Sequence, residues 1–251
     1  MADDILTPPA LEPSHDRMGA KLSRAIEEGK GQVPENPEPL VCKPRKLESW
    51  RVFKIMAEFV DGFETITRYG LAITFFGTAR TTLPPKIYTD ATELAGRLAK
   101  QGYAVITGGS SGLMEAANKG AHDVGGASVG LNIRLRDEQS LNKYVTDSML
   151  FEHFFVRKVM LAFAAEVYIC FPGGFGTLDE FTEILTLIQT KKIKKVPLVL
   201  YSREYWEPII ELFRTQLFQK YHSIDEADLD LFHIVDSVDE AYEYITKNVA
   251  C

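Results

Sequence analysis

From Gly70 onward, short and almost wholly apolar runs alternate with longer amphipathic stretches, and this alternation decides the fold class. The runs Leu71–Phe76, Ala104–Thr107, Ser128–Ile133, Val167–Phe171, Val196–Tyr201 and Phe232–Val235 read as strands. Between and after them, Lys86–Gln101, Gly112–Val124, Phe151–Ala164, Leu178–Lys191, Tyr205–Lys220 and Val238–Asn248 read as helices. Strands without polar alternation belong to sheets covered on both faces, which are parallel sheets. The expected architecture is therefore α/β, a doubly wound parallel sheet with right-handed crossovers and helices on both faces. In such folds ligands gather beyond the carboxyl ends of the strands. Leu47, Trp50, Phe53, Met56, Phe59, Val60, Phe63 and Ile66 recur at helical spacing, so a helix with an aromatic face precedes the first strand.

Residues 1–45 differ in kind. They hold seven of the twelve prolines (Pro8, Pro9, Pro13, Pro34, Pro37, Pro39, Pro44), the composition of a flexible arm, with a short helix expected only at Met18–Glu28. Residues 46–251 form a single nucleotide-binding domain on this reading. A formal charge of −7 argues against a general nucleic-acid binder. No apolar run approaches a membrane span, and Met1-Ala2-Asp3-Asp4 lacks the start of a secretory signal, so a cytoplasmic location and no membrane partner are expected. Cys42, Cys170 and Cys251 imply no disulfide framework, and the five histidines show no metal-ligand spacing, so no metal site is expected.

The chemistry lies in the loops that follow the strands. Pro172-Gly173-Gly174-Phe175-Gly176-Thr177-Leu178-Asp179-Glu180 runs from an apolar strand directly into a helix. Bare backbone at a helix start offers N–H groups and the positive end of the dipole to an anion. Thr177 adds a hydroxyl, and Glu180 falls in the first turn of the expected helix. The bland alternative is a capping box, since Thr177 and Glu180 have the S/T-x-x-E spacing. Gly108-Gly109-Ser110-Ser111-Gly112-Leu113-Met114 repeats the logic after the second strand, or is only a tight turn. It is neither a P-loop nor a good dinucleotide fingerprint. Gly77-Thr78-Ala79-Arg80 follows the first strand, and Arg134 to Gln139 follow the third. Arg157-Lys158 interrupts an otherwise apolar helix; these cations reach a phosphate or sugar, or else snorkel or pair with a structural acid. Lys191, Lys192, Lys194 and Lys195 read as a solvated helix end, and Asp225–Asp230 as an acidic surface loop.

Taken together these residues resemble the Lonely Guy (LOG) family, phosphoribohydrolases often mislabelled lysine decarboxylases. The resemblance rests on the match of Pro172–Glu180 to PGGxGTxxE, on Arg157-Lys158, and on the Gly108 loop, and covers about Leu71 to Tyr205. It implies a Rossmann-like fold, a homodimer or larger assembly, and cleavage of the N-glycosidic bond of an adenine-type nucleoside 5′-monophosphate, AMP or a cytokinin riboside 5′-monophosphate. Arg157 and Glu180 fall where the family places its catalytic pair. Gly108, Gly109, Ser110, Gly112, Met114, Lys158, Gly173, Gly174, Phe175, Gly176 and Thr177 fall in its substrate-binding set, and Glu138 matches its substrate-binding acid. The Gly108 loop lacks the family's third leading glycine, and the amino-terminal extension is long.

Such a reaction builds positive charge on the ribosyl ring, which a carboxylate stabilises while taking a proton from water. Neither a metal, a redox cofactor nor pyridoxal phosphate is required. The competing class is a nucleotide or phospho-ligand sensor using the same cradle without turnover; a dehydrogenase is disfavoured by the poor fingerprint.

Overall fold

The computed structural model describes residues 49–135 and 141–249. The chain divides into two units, Met1–Leu47 and Glu48–Cys251, and the second carries the fold. The arm, Cys42, Cys251 and Glu138 lie outside the described residues. The elements run α1 (Ser49–Ile66), β1 (Ala72–Phe76), α2 (Pro85–Lys100), β2 (Ala104–Thr107), α3 (Leu113–Asp123), β3 (Ser128–Ile133), β4 (Asp147–Phe151), α4 (Phe154–Phe163), β5 (Val167–Cys170) and α5 (Phe175–Gln189). They continue with β6 (Leu198–Tyr201), α6 (Arg203–Leu212), a π-helical segment (Phe213–Lys220), a 3-10 turn (Glu226–Asp230), β7 (His233–Val235) and α7 (Val238–Asn248).

All seven strands are parallel, in the order β4-β3-β2-β1-β5-β6-β7. The chain winds outward from β1 to β4, then returns to the centre and winds the other way. The switch point is the β1–β5 boundary, where such folds open a crevice. Apolar runs without polar alternation serve both faces at once, because successive side chains point oppositely. Phe76, Tyr168, Cys170, Leu198 and Leu200 enter one core with Phe181 and Trp206. Phe75, Val167, Ile169, Phe171 and Tyr201 enter the other with Leu94, Leu98, Leu113 and Ile245. The stacked rings Phe75–Phe171 and Phe171–Tyr201, at 6.1 and 4.4 Å, carry the second core across β1, β5 and β6.

Three departures from the sequence reading matter. Asp147–Phe151 is an additional edge strand, so the helix read from Phe151 starts instead at Phe154. Helix α5 begins at Phe175 rather than Leu178, with Gly174 at its N-cap. The stretch read as one helix to Lys220 is α-helical only to Leu212, and the expected acidic loop is a 3-10 turn capped by Asp225 and Asp228.

Helices α2 and α3 cross through glycines: a Cβ on Gly120 would overlap the carbonyl oxygen of Thr92 and lie 2.9 Å from Gly96 N. Both obstacles are backbone, so the helices must separate to admit it. Gly120→Ala is expected to destabilise the domain by about 1–3 kcal/mol, the usual cost of overpacking. Urea unfolding checks this, and an unchanged midpoint would contradict it.

Candidate active site

The loops after β1, β2 and β5 lock together at the switch point. Thr78 N donates to Pro172 O at 3.3 Å, Leu113 N to Thr78 O at 2.9 Å, and the Ser111 hydroxyl to Ala79 O at 2.7 Å. Gly109 and Gly112 have φ of +72° and +68°, which L side chains rarely adopt. Beneath the Gly108 loop is a buried polar network that the sequence reading missed. Thr107 Oγ1 donates to Asn118 Oδ1 and accepts from Gly109 N, while Asn142 Nδ2 donates to Ser110 O and Asn118 Oδ1. Asn142 N also donates to Gly109 O at 2.8 Å. The available signal was Asn118, a polar residue on the apolar face of a helix.

The cradle after β5 is equally fixed from below. Tyr205 Oη donates to Gly173 O at 2.8 Å and Trp206 Nε1 to Cys170 O at 3.1 Å. Thr177 is buried, its side chain folded against Gly173 where a Cβ would otherwise stand. The first helical bond runs from Leu178 N to Gly174 O, and no side chain caps α5. The N–H groups of Phe175, Gly176 and Thr177 therefore precede the helical ladder, the arrangement that binds anions. An added Cβ at Gly174 or Gly176 would meet nothing within 4 Å, and neither has a left-handed φ. The protein's own packing asks for glycine at neither position. Phe175 between them is 92% exposed.

Glu180 lies one turn further along α5 than expected, so the capping-box reading is excluded: its backbone is not at N3. Its charge is felt by Arg157 and by Cys170 at the end of β5. Burial pushes its carboxyl up to about 7; Arg157 opposes the shift, Asp179 adds to it, Lys158 opposes it and Glu183 adds to it. Cys170 beneath it is held well above its usual value by burial and then by Glu180. Arg157 is buried, and its Nε donates to Leu131 O at 2.8 Å. Its guanidinium occupies the space where Gly108 has no side chain, with Met114 alongside. Burial lowers its pKa while Glu180 raises it. Arg157 and Glu180 thus act on one another through space rather than as a contact ion pair.

Lys158 does not stand free as an anion ligand. Its Nζ is 2.9 and 2.7 Å from the two carboxylate oxygens of Asp179 and 3.5 Å from Glu183. These acids outweigh the opposing effect of burial and raise its pKa. Asp179 and Glu183 are four apart on α5, a repulsive spacing that the ammonium from α4 neutralises. The structure therefore brings together Arg157, Glu180, Gly108, Met114 and the cradle Gly173–Thr177, with Gly109, Ser110 and Gly112 as the supporting turn. Among the described residues no group of three or more His, Cys, Asp or Glu is placed to hold a metal, and no helix is long and apolar enough to cross a membrane.

Gly176 gives the first test of the cradle. Glycine inside a helix costs up to about 1 kcal/mol relative to alanine. Gly176→Ala should raise the unfolding free energy by about 0.5–1 kcal/mol and weaken binding of AMP by isothermal titration calorimetry. Stabilisation without loss of affinity would show that no ligand approaches that backbone.

A family model described as "Possible lysine decarboxylase" matches residues 114–245. A cytokinin riboside 5′-monophosphate phosphoribohydrolase of Arabidopsis thaliana is 31% identical over 105 residues, 41% of this chain and 46% of that protein. One from Oryza sativa subsp. japonica is 30% identical over 126 residues, 49% of this chain and 52% of that protein. The chain thus spans about half the length of these relatives. The molybdenum cofactor carrier protein of Chlamydomonas reinhardtii shares the fold, with a TM-score of 0.54 and 23% identity over 71% of this chain and 97% of that one. Since the family model takes in more than half the residues, from Met114 through Glu180 to Ile245, this chain belongs to the "Possible lysine decarboxylase" family, the Lonely Guy family whose motif it carries.

Proposed function

We propose that the protein is a phosphoribohydrolase, cleaving the N-glycosidic bond of adenine-type nucleoside 5′-monophosphates to free base and ribose 5-phosphate. AMP and cytokinin riboside 5′-monophosphates are the substrates to test. The observation that carries the reading is Glu180, a carboxyl pushed up to about 7 and set across from a buried arginine beside an uncapped helix start. A sensor would use the cradle, but it would have no use for a desolvated carboxylate at its floor; perturbed groups of this kind collect at catalytic sites. The two LOG enzymes at 30 and 31% identity point the same way.

In this mechanism the cradle N–H groups hold the 5′-phosphate, which fixes the anomeric carbon and turns remote binding energy into placement. As the bond to the base lengthens, positive charge grows on the ribosyl ring. Ionised Glu180 stabilises that charge and takes a proton from the attacking water, whose oxygen bonds to the anomeric carbon. The base departs with the electron pair of the broken bond and takes up one proton, so that free base and ribose 5-phosphate result. Arg157 orients the sugar and holds Glu180 in its ionised form. Glu138 is assigned to substrate binding by its family position. No step uses a metal or an organic cofactor.

Glu180→Gln should nearly abolish release of base from AMP and isopentenyladenosine monophosphate, read by HPLC, while nucleotide binding stays close to wild type. In the wild type, kcat/KM should fall as pH drops through about 7, because the ionised form is required. The same raised pKa means that Glu180's contribution to stability is present below the ordinary carboxylate range and lost as pH rises through about 7. Glu180→Gln should therefore raise Tm more at pH 8 than at pH 5. Full turnover in Glu180→Gln would turn the reading to the sensor.

We further propose a homodimer in the cytoplasm, with residues 1–45 as an arm outside the catalytic domain. Trp50, Phe53, Met56, Val60 and Phe63 on α1, and Phe154, Phe155 and Phe163 on α4, are exposed apolar side chains, more than a monomer usually leaves to water. Phe63 and Phe163 already pair edge to face at 6.5 Å, joining the two helices into one patch. Light scattering should report a dimer at micromolar concentration for the full chain and for a chain lacking residues 1–45. A monomer would refute the first claim, and loss of turnover on truncation the second.

A further inference from the structure

The phosphate cradle faces an electrostatic deficit. A phosphate monoester carries close to two negative charges at neutral pH, a helix start offers about half a positive one, and the chain as a whole is at −7. A cation is needed, and most of those near the carboxyl edge already have partners. Arg157 is buried and bonded to Leu131 O; Lys158 is taken by Asp179 and Glu183. Arg134 pairs with Glu152 at 2.8 Å, Arg203 pairs with Asp236 and Glu207, and Lys143 lies over the Tyr144 ring.

Arg80 differs. Among the described residues its guanidinium has no carboxylate, carbonyl or ring partner, and the residue is exposed. Its backbone, by contrast, is firmly held. Arg80 N donates to Thr78 Oγ1 at 3.1 Å, and Thr78 N donates to Pro172 O at the head of the cradle. On the other side, Arg80 O would lie 2.8 Å from a Cβ on Gly112. The loop Gly77–Arg80 is thus wedged between both glycine loops at the β1–β5 switch point. A firmly held backbone beside the cradle, carrying an exposed and unpaired guanidinium, suits bidentate capture of phosphate oxygens.

We propose that Arg80 is the cation that binds the substrate's 5′-phosphate, and that it makes the site select phosphorylated over unphosphorylated nucleosides. This rests on the hydrolase reading only for the identity of the substrate; the phosphate contact is separable from turnover. Lys158 has a different task, holding the acidic face of α5 against α4 so that Arg157 and Glu180 keep their spacing.

The test is calorimetric binding of ribose 5-phosphate, together with steady-state release of base from AMP, for wild type, Arg80→Gln, Arg80→Lys and Lys158→Met. Arg80→Gln should weaken ribose 5-phosphate binding about ten- to a hundredfold, the usual effect of losing a charge-assisted bond, and raise KM for AMP more than it lowers kcat. Arg80→Lys should restore part of the affinity, which a merely structural role would not do. Affinity unchanged in Arg80→Gln, or lost in Lys158→Met instead, would overturn the proposal while leaving the hydrolase reading intact. Binding that depends on Arg80 in a protein that releases no base would uphold Arg80 and remove the hydrolase reading.

Discussion

The Arg157 side chain leaves α4 and ends beneath the second glycine loop, where its Nε donates to Leu131 O. Taking a cation out of water costs several kcal/mol unless its surroundings answer it, and the answer here sets the form of the site. Gly108 must have no side chain, because the guanidinium occupies that space, and Met114 closes over the same spot. The carbonyl of β3 meets one donor, and Glu180 supplies the opposing charge through space. Four elements of the sheet edge are thereby tied to one side chain. Moving any of them leaves a buried charge unanswered, so their relative placement is fixed before a ligand arrives.

The neighbouring residue shows how a helix separates two cations of the same type. Consecutive helical positions diverge by about 100°, so Arg157 turns inward to the sheet edge while Lys158 turns outward to α5. The inward arginine acts on Glu180, and the outward lysine neutralises Asp179 and Glu183. Asp179 and Glu183 each add to the upward shift of the Glu180 carboxyl, and Lys158 opposes it. Burial is the largest influence on Glu180 and Arg157 the next, and together with these neighbours they leave it near the pH at which a general base is most effective.

Where the hydrophobic pattern was strong, the fold could be read from it. Six of the seven strands are short, mostly apolar runs, which fit a sheet covered on both faces. β4 escaped because it is an edge strand: Asp147, Met149 and Phe151 alternate with more exposed Ser148 and Leu150, and its last residue reads as easily into the helix that follows. The start of α5 was misplaced because Pro-Gly-Gly-Phe-Gly looks like a turn; only the bond from Leu178 N to Gly174 O shows that the helix has already begun at Phe175. The site's residue types were legible, yet their partners were not. Nothing local announces that Lys158 is claimed by Asp179, twenty-one positions away, or that Asn118 and Asn142 support the Gly108 loop. A π-helical stretch after Leu212 is likewise invisible to a search for a 3.6-residue period.

The shift in the start of α5 also changes how the motif is explained. A capping box would have been a local gain, with Thr177 and Glu180 satisfying the helix end. Instead the helix begins without a side-chain cap, carries glycine at its second position, and exposes a phenylalanine at its first. Each choice is unfavourable for an isolated helix: glycine in place of a side-chain cap costs a few tenths of a kcal/mol, and the glycine within the helix up to about 1 kcal/mol. Their neighbours show no such economy, since Thr177 is packed beneath Gly173 and two aromatic side chains from α6 brace the turn. Unfavourable choices confined to the three residues that face outward, on a support that is otherwise well satisfied, are the mark of a surface shaped for something beyond the chain itself.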